Sequence, residues 1–396
     1  MRGSPLVPGS PLALVIDRKN VPTLNTMTTE DIRIDTANGI GFIALDRPKA
    51  LNALTPPMLR AISEALRAWR HDQAIRAVMI YSPHVRAFCA GGDIRFLYDA
   101  AKAGDSDTVD AFFIDEYKLN HAIFTFPKPY IAVMSGVVMG GGMGISQGAH
   151  HTGGLRIVTQ STKMAMPETR IGLFPDVGVS WFLARAPGAI GRYLAATGAS
   201  MGAADALYAR MADAYLDDGA LPGLIESLRH QRFLDGVDIM RFVQNETTKY
   251  KVSPIPDASP LAEARTLIDK CFAAGNGAAI LASLEREADA SGSAWARGTA
   301  AQLRERSPLS VDVALQQVDR ARFSTMAETL RRDLDLTRSV FERGDVVEGI
   351  RARIVDKDDQ PAWKVTRAED VEPKDVEHMF DSAWSPATHP LRLLKD

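Results

Sequence analysis

The stretch from Gly136 to Gly178 reads GVVMGGGMGISQGAHHTGGLRIVTQSTKMAMPETRIGLFPDVG. Its glycine triplet, residues 140–142, follows an apolar run at 130–134 and a turn, and the residues after it can open a helix. Glycine has no Cβ, so the backbone here can approach a ligand closely. The free N–H groups of a helix N-terminus suit a developing oxyanion. Glu168 and Asp176 follow in Pro-bearing loops. The combination indicates a site for acyl transfer.

The composition of the chain excludes several function classes. At 396 residues it can bury a large core, and its net charge of -3 gives no reason to expect nucleic acid or an anionic membrane as a partner. Cys89 and Cys271 can form at most one disulfide, so we expect a reducing, cytoplasmic location. No apolar run approaches the roughly 20 residues that cross a bilayer.

Three regions are predicted along the chain. Residues 1–27 read as a disordered tail, a tag or an extended start, residues 28–225 as the core with the active site, and residues 226–396 as mainly helical. A Pro-bearing segment from Asn245 to Pro260 is a predicted linker.

Strands and helices alternate at the start of the predicted core. Two strands flank the Asn38-Gly39 turn, and Asn-Gly is a strong hairpin signal. A helix capped by Thr55 follows, and then a buried strand from Ala77 to Ser82. This β-β-α order predicts an α/β fold built from strand–helix repeats.

Six segments carry a resemblance to a known family. They are RPKALNAL (47–54), FCAGGDIR (88–95), FFIDEYKLN (112–120), KPYIAVMSGVVMGGGMGIS (128–146), MAMPETRIGLFPDVGVSWFL (164–183) and GIRARIVDKDDQPAW (349–363). The chain resembles the enoyl-CoA hydratase/isomerase (crotonase) superfamily, and more closely its 3-hydroxyisobutyryl-CoA hydrolase branch. The resemblance implies a crotonase-like spiral of β-β-α repeats with a helical C-terminal region. It also implies a small acyl-CoA substrate, no separate cofactor, and a homo-oligomer as one assembly.

The resemblance also assigns roles to residues. The N–H groups of Gly92 and Gly141 would form an oxyanion hole around the thioester carbonyl, with Glu168 and Asp176 as the catalytic carboxylates. Glu116 would point into the pocket and bind the substrate hydroxyl or a water. Together with Gly141, Glu168 and Asp176 it forms the predicted substrate site. The CoA moiety would lie along Lys49, Ala50, Ala90, Gly92, Asp93 and Ile94.

One position separates the hydrolase branch from the hydratases. Enoyl-CoA hydratases use two glutamates, one after the glycine loop and one in the Pro-Glu motif. The first of these positions is Gly144 here, whereas Glu168 occupies the second. We therefore expect thioester hydrolysis, in which Glu168 is either a nucleophile or a general base and Asp176 orients it or the water. A hydratase or isomerase, a hydrolase of another short acyl-CoA, and a non-catalytic acyl-CoA-binding protein are the alternatives.

The adjacent His150 and His151 raise the question of a metal site. Neighbouring side chains on one short loop make poor joint ligands without further partners. We expect a surface loop here and no metal.

Overall fold

The computed structural model describes residues 26–29, 31–249, 259–273 and 275–396. The strands are β1 (Thr26–Thr29), β2 (Ile32–Ala37), β3 (Ile40–Leu45), β4 (Ala77–Tyr81), β5 (Ala87–Cys89), β6 (Tyr130–Met134), β7 (Val137–Met139), β8 (Leu155–Thr159), β9 (Lys163–Ala165) and β10 (Ala214–Leu216). The helices up to residue 249 are α1 (Pro56–His71), α2 (Ile94–Lys102), α3 (Ser106–Phe124), α4 (Gly141–Gln147), α5 (Val179–Leu183), α6 (Ile190–Thr197), α7 (Ala203–Tyr208), α8 (Leu221–His230) and α9 (Gly236–Lys249). The helices after it are α10 (Pro260–Glu263), α11 (Arg265–Phe272), α12 (Gly277–Ser291), α13 (Ala294–Arg304), α14 (Pro308–Ala321), α15 (Met326–Arg343), α16 (Val346–Ile350) and α17 (Pro373–Met379).

Successive strands alternate between two sheets, which makes the chain a spiral. The larger sheet has the order β1-β2-β3-β4-β6-β8-β10 and the smaller one the order β5-β7-β9. Each turn of the spiral therefore adds one strand to each sheet, and within the turns all neighbours are parallel. The predicted α/β spiral of β-β-α repeats is confirmed.

Local sequence signals account for the start of this spiral. Asn38 and Gly39 both have positive φ, 48° and 81°, as a tight two-residue hairpin between β2 and β3 requires. Thr55 caps α1 by accepting a hydrogen bond from the Met58 N–H at 3.4 Å. The apolar stripe of α1 is buried as its spacing predicts, through Leu59, Ile62, Leu66 and Trp69.

The larger sheet is covered on both faces. Alternate residues of β3 illustrate this: Ile40 and Phe42 pack with α8 and α9, whereas Ile43 packs with the layer that contains α1 and α3.

The predicted boundary at residue 225 falls inside α8, and the division of the chain into regions stays a prediction. The predicted linker is wrong at its start, because α9 continues to Lys249. Its residues 250–258 lie outside the described ranges, as do residues 1–25, whereas Thr26 and Met27 pair with β2.

The C-terminal region is helical as predicted, and it packs against the spiral. Helix α14 contacts α6, α15 contacts α3, and α16 lies against the segment that carries Glu168. The backbone of Ile171 leaves no room for a side chain at Gly349. The C-terminal helices thereby form one wall of the region described next.

Candidate active site

The smaller sheet gathers three predicted site segments at one edge. Its strands are parallel, so their carboxyl ends meet on the same side. Gly92 follows β5, Gly141 follows β7, and Glu168 follows β9. The spiral thus brings together residues that are 76 positions apart in the chain, counted from Gly92 to Glu168.

The two predicted oxyanion donors lie on neighbouring segments. Gly141 is the first residue of α4, so its N–H has no partner within the helix. Leu54 bonds to the Gly91 carbonyl and to the Asp93 N–H at 2.8 and 2.9 Å, which turns the Gly92 N–H to the opposite side. A Cβ atom at Gly141 would lie 3.3 Å from the Gly92 nitrogen.

Glycine is required where these loops turn. Gly140 precedes α4 with φ 48° and ψ -121°, and Gly91 has φ 112°. Residues that carry a side chain rarely adopt such backbone conformations. A Cβ at Gly140 would lie 2.9 Å from Glu168 Oε1, and one at Gly141 would overlap Glu116 Oε1. The glycines therefore leave space that the two carboxyl groups occupy.

Glu116, Glu168 and Asp176 line one cavity of about 520 Å³. All three side chains are buried, with relative exposures of 2%, 7% and 4%. Within the described part of the chain, Glu116 Oε1 and Glu168 Oε2 have no hydrogen-bond partner. Buried polar atoms are normally paired, so both oxygens are available to a bound molecule.

Burial sets the protonation of these carboxyl groups. It raises the pKa of Glu116 and of Glu168 well above the ordinary value, and the charge of Asp176 raises both further. Burial also raises the pKa of Asp176, to about 6, while a hydrogen bond from Tyr117 lowers it. Above that pH, Asp176 carries the charge, and Glu168 in its ionised form is a stronger base than an exposed glutamate.

Gly144, the predicted point of difference from the hydratases, has neighbours where its side chain would be. A Cβ at Gly144 would lie 2.8 Å from Asn120 Nδ2 and 2.8 Å from Val177 Cβ. Asn120 is on α3, one turn after Glu116, and Val177 follows Asp176 with a positive φ of 53°. No second glutamate fits at this place in the present packing.

The predicted CoA contacts divide into two groups. Ala90, Gly92 and Ile94 line the cavity, whereas Lys49, Ala50 and Asp93 are not among its lining residues. Asp93 caps α2 through the Phe96 N–H and forms an ion pair with Arg47 at 3.0 Å. Contacts of all six residues with CoA stay predictions.

The two adjacent histidines have structural partners. His150 Nδ1 lies 2.9 Å from Asp213 Oδ1, and His151 stacks on Phe124 with ring centroids 3.9 Å apart. Among the residues that the structure describes, no group of three metal-ligating side chains is placed to hold an ion.

Sequence reasoning missed several residues of the cavity. Phe112 and Phe113 on α3 form an apolar wall, and Arg353, Ile354 and Lys357 close the cavity from the C-terminal region. The aromatic pair stands next to Glu116 in FFIDEYKLN, so helical periodicity was a usable signal for it. Residues 349–363 form one of the six matching segments, but their charged run has no periodicity that places it at the cavity.

Because carboxyl groups are buried in this protein, we expect its stability to fall as the pH rises above neutrality. Burial and the charge of Asp176 raise the pKa of Asp333, on α15, to about 8. Between the ordinary value and 8, the folded state therefore holds a proton that the unfolded state has released. Stability falls as pH rises through this window, by about 1.4 kcal/mol per pH unit for each such proton.

We expect Asp333→Asn to flatten this dependence between pH 7 and 8. Urea unfolding of the wild-type protein and the variant at both pH values measures it. Asp289→Asn on the exposed face of α12 is the control and keeps the wild-type slope. Equal slopes for the wild-type protein and Asp333→Asn would contradict the prediction.

Comparison with known proteins decides the family. The enoyl-CoA hydratase/isomerase family profile matches residues 40–380. This chain belongs to the enoyl-CoA hydratase/isomerase family. The mitochondrial 3-hydroxyisobutyryl-CoA hydrolase of Gallus gallus is 34% identical over 356 residues, covering 90% of each chain. The Rattus norvegicus protein of the same name is 36% identical over 358 residues, again with 90% coverage of both.

A solved structure of the family shares both the fold and much of the sequence. The carnitinyl-CoA dehydratase from Mycobacterium thermoresistibile is 36% identical and superimposes with a TM-score of 0.80, covering 90% of this chain and 97% of that one. Family members with similar identity to this chain thus carry names of two reaction types.

Among the residues that the structure describes, every helix is too short or too polar to span a bilayer.

Proposed function

We propose that this protein hydrolyses 3-hydroxyisobutyryl-CoA to 3-hydroxyisobutyrate and CoA, as the names of its relatives in Gallus gallus and Rattus norvegicus indicate for those proteins. One observation carries the proposal: Asn120 and Val177 fill the space at Gly144, while Glu168 and Asp176 remain in the cavity. The pair of glutamates that adds water to a double bond is therefore incomplete, and a carboxylate stands beside the oxyanion amides instead.

The amides of Gly92 and Gly141 would polarise the thioester carbonyl. Donors aimed at a developing oxyanion contribute about 10²- to 10³-fold in rate each. The carbon–sulfur bond breaks, CoA leaves as its thiolate, and water supplies the second oxygen of the product carboxylate. These steps use only water and side chains, and we keep the prediction that no separate cofactor takes part.

Two routes deliver that oxygen. In one, Glu168 attacks the carbonyl and forms a mixed anhydride, which water then hydrolyses. In the other, Glu168 takes a proton from a water that attacks directly. Its raised pKa serves both routes, because a carboxylate with higher proton affinity is a better nucleophile and a better base. Asp176, ionised above about pH 6, would orient Glu168 or the water.

The mouth of the cavity suits an anionic substrate. Arg170, Arg353 and Lys357 line it together with one carboxylate, Asp359. The surplus of positive charge favours the phosphates of CoA. The apolar wall formed by Phe112 and Phe113 favours a short carbon chain at the inner end.

Hydration or dehydration of an acyl-CoA is the second candidate, because the dehydratase from Mycobacterium thermoresistibile is as similar in sequence as the hydrolases. We propose it only as the alternative, and the assay described below must distinguish it from hydrolysis.

Three further statements stay proposals: a location in the cytoplasm, a role in valine breakdown and assembly into a homo-oligomer. The vertebrate relatives carry the word mitochondrial in their names.

The deciding experiment follows thiol release and loss of the double bond in parallel. We expect fast thiol release from 3-hydroxyisobutyryl-CoA and no loss of the double bond of crotonyl-CoA. Loss of the double bond without thiol release would establish the alternative. Failure of both reactions would leave only acyl-CoA binding.

Glu116 should determine the preference for hydroxylated substrates. Its unpartnered Oε1 lies where a side chain on Gly141 would begin, so it can accept a hydrogen bond from the 3-hydroxyl group. We expect Glu116→Ala to reduce the kcat/KM preference for 3-hydroxyisobutyryl-CoA over isobutyryl-CoA by about tenfold or more. Asp115→Ala, at the preceding position of α3 and outside the cavity lining, is the matched control. An unchanged preference in Glu116→Ala would oppose this role.

A further inference from the structure

Tyr117 and Thr337 connect Asp176 to the C-terminal helical region. The Tyr117 hydroxyl lies 2.7 Å from Asp176 Oδ2 and 2.8 Å from Thr337 Oγ1. Thr337 Oγ1 in turn lies 2.7 Å from the backbone carbonyl oxygen of Asp333. Tyr117, Thr337 and Asp333 are at most 1% exposed, so bulk water has no access to this chain of contacts.

The same helix also holds the backbone after Asp176. Asp333 and Thr337 are four residues apart on α15 and share one face of it. Asp333 Oδ2 accepts a hydrogen bond from the Gly178 N–H at 2.8 Å. The strained residue Val177, with φ 53°, lies between these two attachments. Helix α15 therefore fixes both the side chain of Asp176 and the loop that carries it.

The number of protons in the chain of contacts depends on the state of Asp176. Three contacts join the carboxyl group, the two hydroxyls and the carbonyl, and each hydroxyl supplies one proton. When Asp176 is ionised, Tyr117 donates to it, and Thr337 donates either to Tyr117 or to the Asp333 carbonyl. When Asp176 is protonated, all three contacts can be filled in one direction, from Asp176 through Tyr117 and Thr337 to the carbonyl. Gain of one proton by Asp176, together with rotation of the two hydroxyls, converts the first arrangement into the second.

We propose that Tyr117 and Thr337 form a two-hydroxyl relay that keeps Asp176 hydrogen-bonded in both of its protonation states. The inference rests on the proposed function, in which Asp176 orients Glu168 or the water, and it adds that Asp176 exchanges a proton with that partner during hydrolysis. Loss of its hydrogen-bond partner costs a buried polar group stability. The relay removes this cost from both halves of a proton exchange. Tyr117 and Thr337 are positioning residues, since Asp176 is the one member of the three that lines the cavity.

Other titratable groups surround Asp176, and they define the background of any titration. Glu116 faces it from α3, Glu168 from the segment after β9, and Asp333 from α15. Besides burial, the charge of Asp176 raises the pKa of all three. At Asp176 itself, burial raises the pKa and the Tyr117 hydroxyl lowers it, because it donates to the ionised form.

The test titrates Asp176 directly, in the full-length protein without substrate. The protein is labelled with aspartate that carries ¹³C in its side-chain carboxyl group, and Asp176→Asn identifies the resonance. We expect Tyr117→Phe to raise the apparent pKa of Asp176 by about one pH unit, because the ionised form loses its donor. Tyr130→Phe is the matched control: Tyr130 is equally buried, but its hydroxyl donates to the Ile145 carbonyl at 3.2 Å.

Thr337→Val tests the second half of the relay. Without Thr337 Oγ1, the arrangement in which protonated Asp176 donates to Tyr117 leaves the Tyr117 proton without its acceptor, and Tyr117 can donate only to the neutral carboxyl group, a weaker acceptor than the carboxylate. We therefore expect the apparent pKa of Asp176 to fall, opposite to the effect of Tyr117→Phe, and Thr337→Ser to restore the wild-type value. Unchanged titration in Tyr117→Phe, or shifts of the same sign in both variants, would overturn the relay.

Kinetics supply a second readout. The acid limb of the pH profile of kcat/KM should move to higher pH in Tyr117→Phe, with KM nearly unchanged. A uniform loss of activity at every pH, in proportion to lost folded protein, would indicate a structural role alone and would overturn the proposal. Wild-type protein that releases no thiol would defeat the proposed function, whereas the substrate-free titration still decides the relay.

Discussion

Glu168→Gln is expected to reduce the rate of thiol release from 3-hydroxyisobutyryl-CoA by about 10³-fold or more, with little change in KM. Glutamine keeps the shape of the side chain but can neither attack a carbonyl nor take a proton from water. The protein should remain folded, because burial already favours the uncharged form of Glu168. Thermal unfolding at pH 8 is therefore expected at or above the wild-type temperature.

The matched control is Glu64→Gln, the same chemical change on the exposed face of α1. It should leave both rate and stability unchanged. Near-normal hydrolysis by Glu168→Gln would remove Glu168 from the reaction. Hydrolysis in water enriched in oxygen-18 then separates the two routes: label that enters Glu168 during a single turnover requires the anhydride, and its absence favours the general base.

Much of this site could be predicted because it is built from local sequence signals. The glycine triplet, the Asn-Gly hairpin and the Thr55 cap each dictate a backbone conformation on their own. The order of strands and helices determines the spiral, and the spiral brings the ends of β5, β7 and β9 together. The positions of Gly92, Gly141 and Glu168 follow from these elements.

The remaining features depend on contacts between distant parts of the chain. Tyr117 and Thr337 are 220 positions apart, and neither residue type signals a partner. Arg353 and Lys357 reach the cavity only because α16 packs against the segment that carries Glu168. For the same reason, the sequence showed a glycine at position 144 but could not show that Asn120 and Val177 fill the space beside it.

Gly144→Ala is expected to lower the free energy of unfolding by about 1–3 kcal/mol, the usual range for overpacking a core. The new methyl group would lie 2.8 Å from Val177 Cβ, and Val177 cannot easily move because the Gly178 N–H is bound to Asp333. Gly298→Ala is the control, since Gly298 lies in α13 and no atom of the described residues is within 4 Å of its missing Cβ. Its substitution should stabilise the protein by about 0.5–1 kcal/mol. Urea unfolding of both variants measures the two effects, and equal effects would contradict the packing argument.

Gly144→Glu would restore the second glutamate of a hydratase and is expected to destabilise the protein more than Gly144→Ala. The longer side chain meets the same obstruction and adds a buried carboxylate, which costs more than an apolar group. Asn120 is the neighbour that can be removed, because neither of its buried amide atoms has a partner in the described structure. Gly144→Glu combined with Asn120→Ala should therefore recover part of the lost stability. If the double variant hydrates crotonyl-CoA while wild-type protein does not, the missing carboxylate at position 144 and the packing that excludes it separate the two reactions. If it is folded but inactive toward crotonyl-CoA, the distinction extends to the placement of Glu168 and Asp176.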